Sequence, residues 1–286
     1  MSVLPHAAAR KRVDDEETTY HVPMPELKVS PARRAVLAAL LAGAVALTGC
    51  GGSDPGGAAD PATTAAPVAP TTPPPGRVRL GTAPAYVAVA ATDVTARSQP
   101  RDSGRVVGLF AAKLPWGSPT PFLVRAAHRD AAGDTWLQVS LPRRPNGSSG
   151  WVRRDQVRLR PVTHQVEVDL SSRTARLLRD GRTVDTWPVG IGRDATPTPT
   201  GRFYVTVKLR PPQISPVYGA WALGLSGYSD VLEQFGTGDG QIALHGTSDP
   251  SDLGQQVSNG CVRLDNKAIT SLAEMLPLGT PVTIRA

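Results

Sequence analysis

The sequence predicts a mainly β protein: a small β-barrel, then a second β-rich domain with one or two helices, both behind an N-terminal stretch that does not fold. Three observations predict it. Residues 86–161 carry short runs of β-branched and aromatic side chains separated by turn residues. From residue 165 apolar and polar residues alternate with period two. A clear helical stripe occurs once, after Asp265. The 286 residues suffice for two modest domains.

Composition narrows the classes. With 28 Gly, 28 Pro and only 5% aromatics, part of the chain lacks the apolar surface to pack. The net charge of +7 suits an anionic partner or simply a solvated surface. No basic stretch interleaves with aromatics, which argues against nucleic acid. No His, Cys and carboxylate cluster has metal-ligand spacing, so neither metal nor cofactor is expected.

Residues 1–49 read as a targeting region. Lys28, Arg33 and Arg34 precede the apolar run Ala35 to Leu47, which ends in Leu47-Thr48-Gly49-Cys50. That is the order of a secretory signal, and the run is too short for a membrane span. The ending resembles a bacterial lipobox, whose cysteine becomes the first mature residue and carries lipid. It predicts an exported protein held by lipid on Cys50 to the outer face of the cytoplasmic membrane. The polar residues 1–23 are unusual for a signal, and Met24 as the translation start would remove them. Residues 50–82 are rich in Gly, Ala, Pro and Thr and predict a disordered, semi-extended spacer.

Residues 83–161 predict the barrel. Candidate strands are 86–90, 106–110, 122–124, 135–139 and 150–152, with turns at Asp102-Ser103-Gly104, Gly133-Asp134 and Pro145-Asn146-Gly147. Trp136 and Trp151 read as core. The pattern around them resembles bacterial SH3-like domains of wall enzymes.

Residues 162–286 predict the second β-rich domain. Val166, Val168 and Leu170 share one face of a strand. Residues 176–184 read as a hairpin closed by Asp180-Gly181. Further strands are predicted at 202–207, 241–244 and 281–284. Asp265 caps a helix over 266–276, with Ala268, Ile269, Leu272 and Leu276 as its apolar stripe and Pro277 as its stop. Gly236 to Gly240 begins like a phosphate loop but does not complete one.

The chemistry concentrates in two segments. Cys261 lies in Ser258-Asn259-Gly260-Cys261-Val262-Arg263-Leu264, and His245 in Leu244-His245-Gly246-Thr247, sixteen residues upstream. A thiol needs a base to become a good nucleophile near neutral pH, and imidazole is the best suited. The chain has 2 cysteines and 5 histidines, so few rival pairs exist. Cys50 has its own explanation, which leaves Cys261 unpaired.

This long, ordered motif closely resembles the signature of YkuD-type L,D-transpeptidases. The resemblance extends to Val168-Asp169-Leu170-Ser171 and Thr198-Pro199-Thr200-Gly201-Arg202-Phe203. It implies a YkuD-type β-sandwich and a cysteine acyltransferase that cross-links peptidoglycan stem peptides, one as donor and one as acceptor. Cys261 would be the nucleophile and His245 the base, with the Gly246 carbonyl orienting the imidazole. Amides of Gly260 and Cys261 would form the oxyanion site. Arg263 would hold a substrate carboxylate or brace the loop. Ser258 would steady the Cys loop, contact substrate or simply form a turn. Asn259 stands where many relatives have His, which puts a second-histidine role in doubt. Tyr228 occupies a position where related enzymes place a site tyrosine, or else belongs to the core. A monomer is expected.

Two other readings compete. An L,D-carboxypeptidase would give the same thioester to water. A wall-binding lipoprotein would carry an inactive catalytic domain, against which the intact Cys261 and His245 stand. An NlpC-type endopeptidase is disfavoured, because there the cysteine precedes the histidine.

Overall fold

The computed structural model describes residues 78–79, 84–235 and 238–286. The predicted signal, Met24, Cys50 and the spacer up to residue 77 lie outside the described residues, as do Gly236 and Thr237. All described residues fall within one unit, Thr71–Ala286.

The first sheet has eight strands: β1 Val78–Arg79, β2 Ala85–Ala90, β3 Val94–Arg97, β4 Val106–Phe110, β5 Pro121–Arg129, β6 Thr135–Ser140, β7 Ser149–Arg153 and β8 Val157–Val162. Their order is β4-β3-β7-β6-β5-β2-β8. One strand was expected to be spacer. Val78 and Arg79 pair with Ala127 and Ala126 of β5. The reason is length: β2 covers β5 only at Pro121 to Leu123, which leaves the rest of that edge open for another strand.

Phe122, Val124, Leu137, Val139 and Val152 cluster with Val94 and Ala96 in the core of this sheet. Trp136 is fully buried and donates its indole N–H to Asp130. Trp151 is also buried. β3 and β8 were not predicted: β3 is only four residues long, and Pro161 interrupts β8.

The second sheet comprises β9 His164–Asp169, β10 Thr174–Arg179, β11 Arg182–Pro188, β13 Gly201–Leu209, β14 Ala222–Tyr228, β15 Gln241–Gly246, β17 Val262–Leu264 and β18 Pro281–Arg285. Their order is β11-β10-β9-β18-β13-β14-β15-β17. β12 Ile191–Gly192 and β16 Gln256–Ser258 form a separate parallel pair. The β10–β11 hairpin turns through Asp180 (φ 51°) and Gly181 (φ 77°), the left-handed pair that a two-residue turn needs.

One α-helix is present among the described residues, α1 Asn266–Met275. The Asp265 carboxylate accepts from the amides of Lys267 and Ala268, a cap worth about 1 kcal/mol. Ala268, Ile269, Leu272 and Ala273 then bury against Leu223, Leu244, Val262 and Leu264.

β14 escaped prediction because two glycines interrupt its apolar pattern. Packing explains them. A Cβ at Gly224 would lie 2.6 Å from Val207 Cγ1, and one at Gly227 would lie 2.5 Å from Phe203 Cε1. Neighbouring side chains fill the space that strand residues would use.

The two sheets touch through named contacts. Tyr204 of β13 packs with Ala85 and Leu123, and its hydroxyl donates to the Ser140 carbonyl. Arg144 donates to the carbonyls of Ser229, Leu232 and Asp239.

Candidate active site

The site follows from strand alternation. β15 and β17 run parallel, with Leu244 opposite Val262 and His245 opposite Arg263. Ile242, Leu244, Val262 and Leu264 are all buried in the core. Successive strand residues point to opposite faces. The intervening His245 and Arg263 therefore share the other face. Cys261, one residue before the start of β17, stands beside Ala243. The apolar residues of both motifs are thus what aim the chemistry away from the core.

His245 is almost wholly buried, and its Nδ1 lies 2.7 Å from the Gly246 carbonyl oxygen. A carbonyl can only accept, so Nδ1 carries the proton and Nε2 is left as the basic atom. Burial pulls the imidazole pKa down to about 4; the Gly246 carbonyl and Asp252 resist, while Arg263 adds to the shift. The ring is therefore neutral at pH 7.

Cys261 is a free, partly buried cysteine. Burial pushes its thiol pKa up, opposed by the Ala243 backbone and by Arg263. A raised thiolate fraction in the resting site was the expectation. These surroundings favour a neutral thiol and a neutral imidazole.

The Cys loop is braced internally. Ser258 is buried; its hydroxyl accepts the Gly260 amide at 3.1 Å and donates to the Cys261 carbonyl at 2.5 Å. Gly260 has φ 113°, which other residues rarely adopt. The Gly260 amide, expected as an oxyanion donor, is thus already engaged by Ser258. Asn259 accepts a hydrogen bond from Arg193. Residues 190–198 support the loop from behind: Gly190 exchanges backbone bonds with Arg263, and Thr196 donates to the Ser258 carbonyl.

Arg263 pairs with Asp252 at 2.9 Å, and the same carboxylate oxygen accepts from Thr247 at 2.6 Å. Its Nε is buried without a hydrogen-bond partner among the described residues. Tyr228 is placed elsewhere. Its hydroxyl donates to the Pro142 carbonyl, Asn146 bonds its backbone in both directions, and the Arg144 guanidinium lies 4.9 Å over its ring. The structure does not bring it into contact with His245 or Cys261.

Three residues at the site were missed from sequence. Tyr218 sets its ring edge-on to His245, with centroids 5.4 Å apart, and lies near enough for the Cys261 thiolate to push its phenol pKa up, after burial. Asp252 is an ordinary loop acid in sequence. Asn266 reads only as the first residue of a helix. None lies within the motif, so no spacing signal marks them.

Residues 163–284 match the YkuD family, described as the L,D-transpeptidase catalytic domain. The match coincides with the second sheet. The YkuD protein of Bacillus subtilis is 34% identical over 123 residues, covering 43% of this chain and 66% of its own, just under two thirds of its length. YkuD of Bacillus licheniformis is 32% identical over 157 residues, covering 52% of this chain and 87% of its own. The chain belongs to the YkuD L,D-transpeptidase family. Among solved structures, an L,D-transpeptidase from Xylanimonas cellulosilytica is similar at 26% identity, over 43% of this chain and 60% of that one, with a TM-score of 0.32. The family match begins at residue 163, so the first sheet lies outside it.

Proposed function

We propose that this chain is a peptidoglycan L,D-transpeptidase acting through a thioester on Cys261. The observation that carries the proposal is a neutral imidazole on the cysteine's face of the sheet, its Nδ1–H held by the Gly246 carbonyl. That leaves one basic nitrogen, and the thiol is the nucleophile beside it.

The steps balance without a cofactor. Cys261 Sγ attacks the carbonyl carbon before the terminal D-amino acid of the donor stem, and its proton passes to His245 Nε2. The Cys261 amide is the oxyanion donor left in the loop, and such a donor is typically worth about 3 kcal/mol. The C–N bond breaks, and the leaving amine takes the proton from Nε2. The acceptor amine then attacks the thioester, loses its proton to Nε2, and Sγ leaves and is reprotonated. The partly exposed Arg263 guanidinium, paired with Asp252, suits a substrate carboxylate. The exposed side chains of Ile214, Val217 and Tyr218 offer apolar contact to a stem peptide.

Incubation with disaccharide tetrapeptides followed by mass spectrometry tests the reading. Cross-linked dimers that vanish in Cys261→Ala support it. Monomers shortened by one D-amino acid, with no dimers, would assign the thioester to water instead.

The anchoring of the enzyme is a linked proposal. Residues 1–49 direct export, Cys50 carries lipid at the outer face of the cytoplasmic membrane, and the spacer lets the enzyme reach the wall. Residues 83–161 act as an SH3-like wall-directed domain. The order of basic, apolar and small residues before Cys50 supports the export reading.

A further inference from the structure

Between β13 and β14 the chain forms an exposed segment, residues 210–221, that arches to the site. Ser215 and Gly219 exchange backbone hydrogen bonds at 2.8 and 2.9 Å and close it into a turn. Its exposed apolar side chains include Ile214, Val217 and Tyr218. Tyr218 touches the imidazole.

One side chain ties this segment to the turn that orients His245. Asn266 Oδ1 accepts the Ala220 amide at 2.8 Å, and its Nδ2 donates to the Thr247 carbonyl at 3.0 Å. The fit is tight on both sides. A Cβ at Gly246 would lie 2.2 Å from Asn266 Oδ1, and a Cβ at Gly219 would lie 2.3 Å from it. Gly219 has φ 62°, a conformation that favours glycine. The Gly246 amide adds bonds to the Tyr218 and Trp221 carbonyls. Two glycines and one amide therefore join the tyrosine-bearing segment, the His245-Gly246-Thr247 turn and the start of α1.

We propose that Asn266 is a positioning residue for His245, holding the Gly246 carbonyl and Tyr218 in one rigid unit around the imidazole. It acts through its neighbours and touches no reacting atom. The proposal rests on His245 being the base of the transpeptidase reading. Its rationale is chemical. An amide offers an acceptor to Ala220 and a donor to Thr247 at two separate atoms of one short side chain. An aspartate keeps the first bond but sets a carboxylate against the Thr247 carbonyl.

The charged or titratable groups around the ring are Arg263 opposite it on β17, Asp252 on the loop paired with Arg263, Tyr218 on the arching segment and Cys261 beside Ala243. An added carboxylate at residue 266 favours the imidazolium. The acid limb of the rate profile should therefore move to higher pH in Asn266→Asp. In Asn266→Ser the single, shorter hydroxyl no longer spans both partners, and no charge is added. There kcat should fall about 10- to 100-fold with little change in KM, the scale expected when a catalytic group is displaced by about 1 Å.

The experiment has two parts on the full chain. The first is the pH dependence of kcat and KM with tetrapeptide substrate. The second needs no substrate: 15N NMR of the His245 ring, which reports the tautomer and the titration midpoint. Loss of the single Nδ1–H tautomer in Asn266→Ser and a raised midpoint in Asn266→Asp support the proposal. An unchanged tautomer and midpoint in folded variants of both kinds would overturn it, leaving Asn266 a helix-start residue only. Because the NMR arm is independent of turnover, a wild-type chain inactive on muropeptides would refute the transpeptidase reading and not this one.

Discussion

Arg263 Nη1 and Asp252 Oδ2 lie 2.9 Å apart, and the two members of this ion pair act oppositely on His245. Arg263 disfavours the imidazolium and Asp252 favours it. Removing one member should therefore shift the base in a chosen direction. In Asp252→Asn the acid limb of kcat/KM is expected at lower pH, and in Arg263→Gln at higher pH. Measured profiles moving the same way in both variants would refute this coupling. The half-buried Arg263 also loses its carboxylate in Asp252→Asn, at a stability cost of about 2 kcal/mol readable by urea unfolding.

Burial of a neutral imidazole makes stability depend on pH. The folded-state pKa of His245 is about 4, below the ordinary value of 6.5. Between those values the unfolded chain binds a proton that the folded chain refuses. Stability contributed at this site is thus complete above about pH 6.5 and falls as pH drops toward 4, by about 3 kcal/mol in all. Urea midpoints of wild type and His245→Gln should diverge at pH 7 and converge near pH 4. Parallel curves across that range would contradict a buried neutral ring.

Ser258 is expected to matter through the loop rather than through substrate. Its hydroxyl accepts the Gly260 amide and donates to the Cys261 carbonyl. Ser258→Ala leaves that amide unpaired next to Cys261, with about 1–3 kcal/mol lost from a buried unsatisfied group. Acylation by a carbapenem, followed by intact mass, should slow about tenfold or more. Ser258→Thr, which keeps the hydroxyl, should retain most of the rate. Equal rates in wild type and Ser258→Ala would show the bonds to be incidental.

Gly246 and Asn266 are coupled sterically. Gly246→Ala places a methyl 2.2 Å from Asn266 Oδ1 and 3.0 Å from the Ala220 amide nitrogen. Overpacking of this kind typically costs about 1–3 kcal/mol. In the double variant with Asn266→Ser part of the clash is removed, so the combined loss should be smaller than the sum. Strict additivity in thermal unfolding would argue that the two sites do not meet.

Cys50→Ala tests the proposed anchor. The variant, expressed in a bacterial host, should partition to the aqueous phase of a detergent extraction and lack lipid mass. Lipid mass persisting on the variant would exclude Cys50 as the attachment point.

Much of the second sheet was legible from residue order. Strand β9, the β10–β11 hairpin, β15 and the Asp265-capped helix each carry a local signal: alternation, a left-handed turn pair, a cap with an apolar stripe. β14 was not legible, because its glycines are dictated by Val207 and Phe203 from another strand. β1 was not legible either, since what makes Val78 and Arg79 a strand is the open edge of β5. The motif named Cys261, His245 and the residues around them. Tyr218, Asp252 and Asn266 were silent because their roles arise only where separate segments meet.

The sequence by itself determined the motif: a cysteine directly after Gly260, a histidine sixteen residues earlier, and apolar neighbours whose alternation turns both away from the core. The tertiary structure alone decided the state of that pair. Burial keeps the imidazole neutral and the thiol protonated, and the Gly246 carbonyl holds the proton on Nδ1 and leaves Nε2 without one. Asp252 and Asn266 then set the field and the angle. Residue types can be read along a chain, but desolvation, charge proximity and hydrogen-bond direction depend on distances that only folding creates.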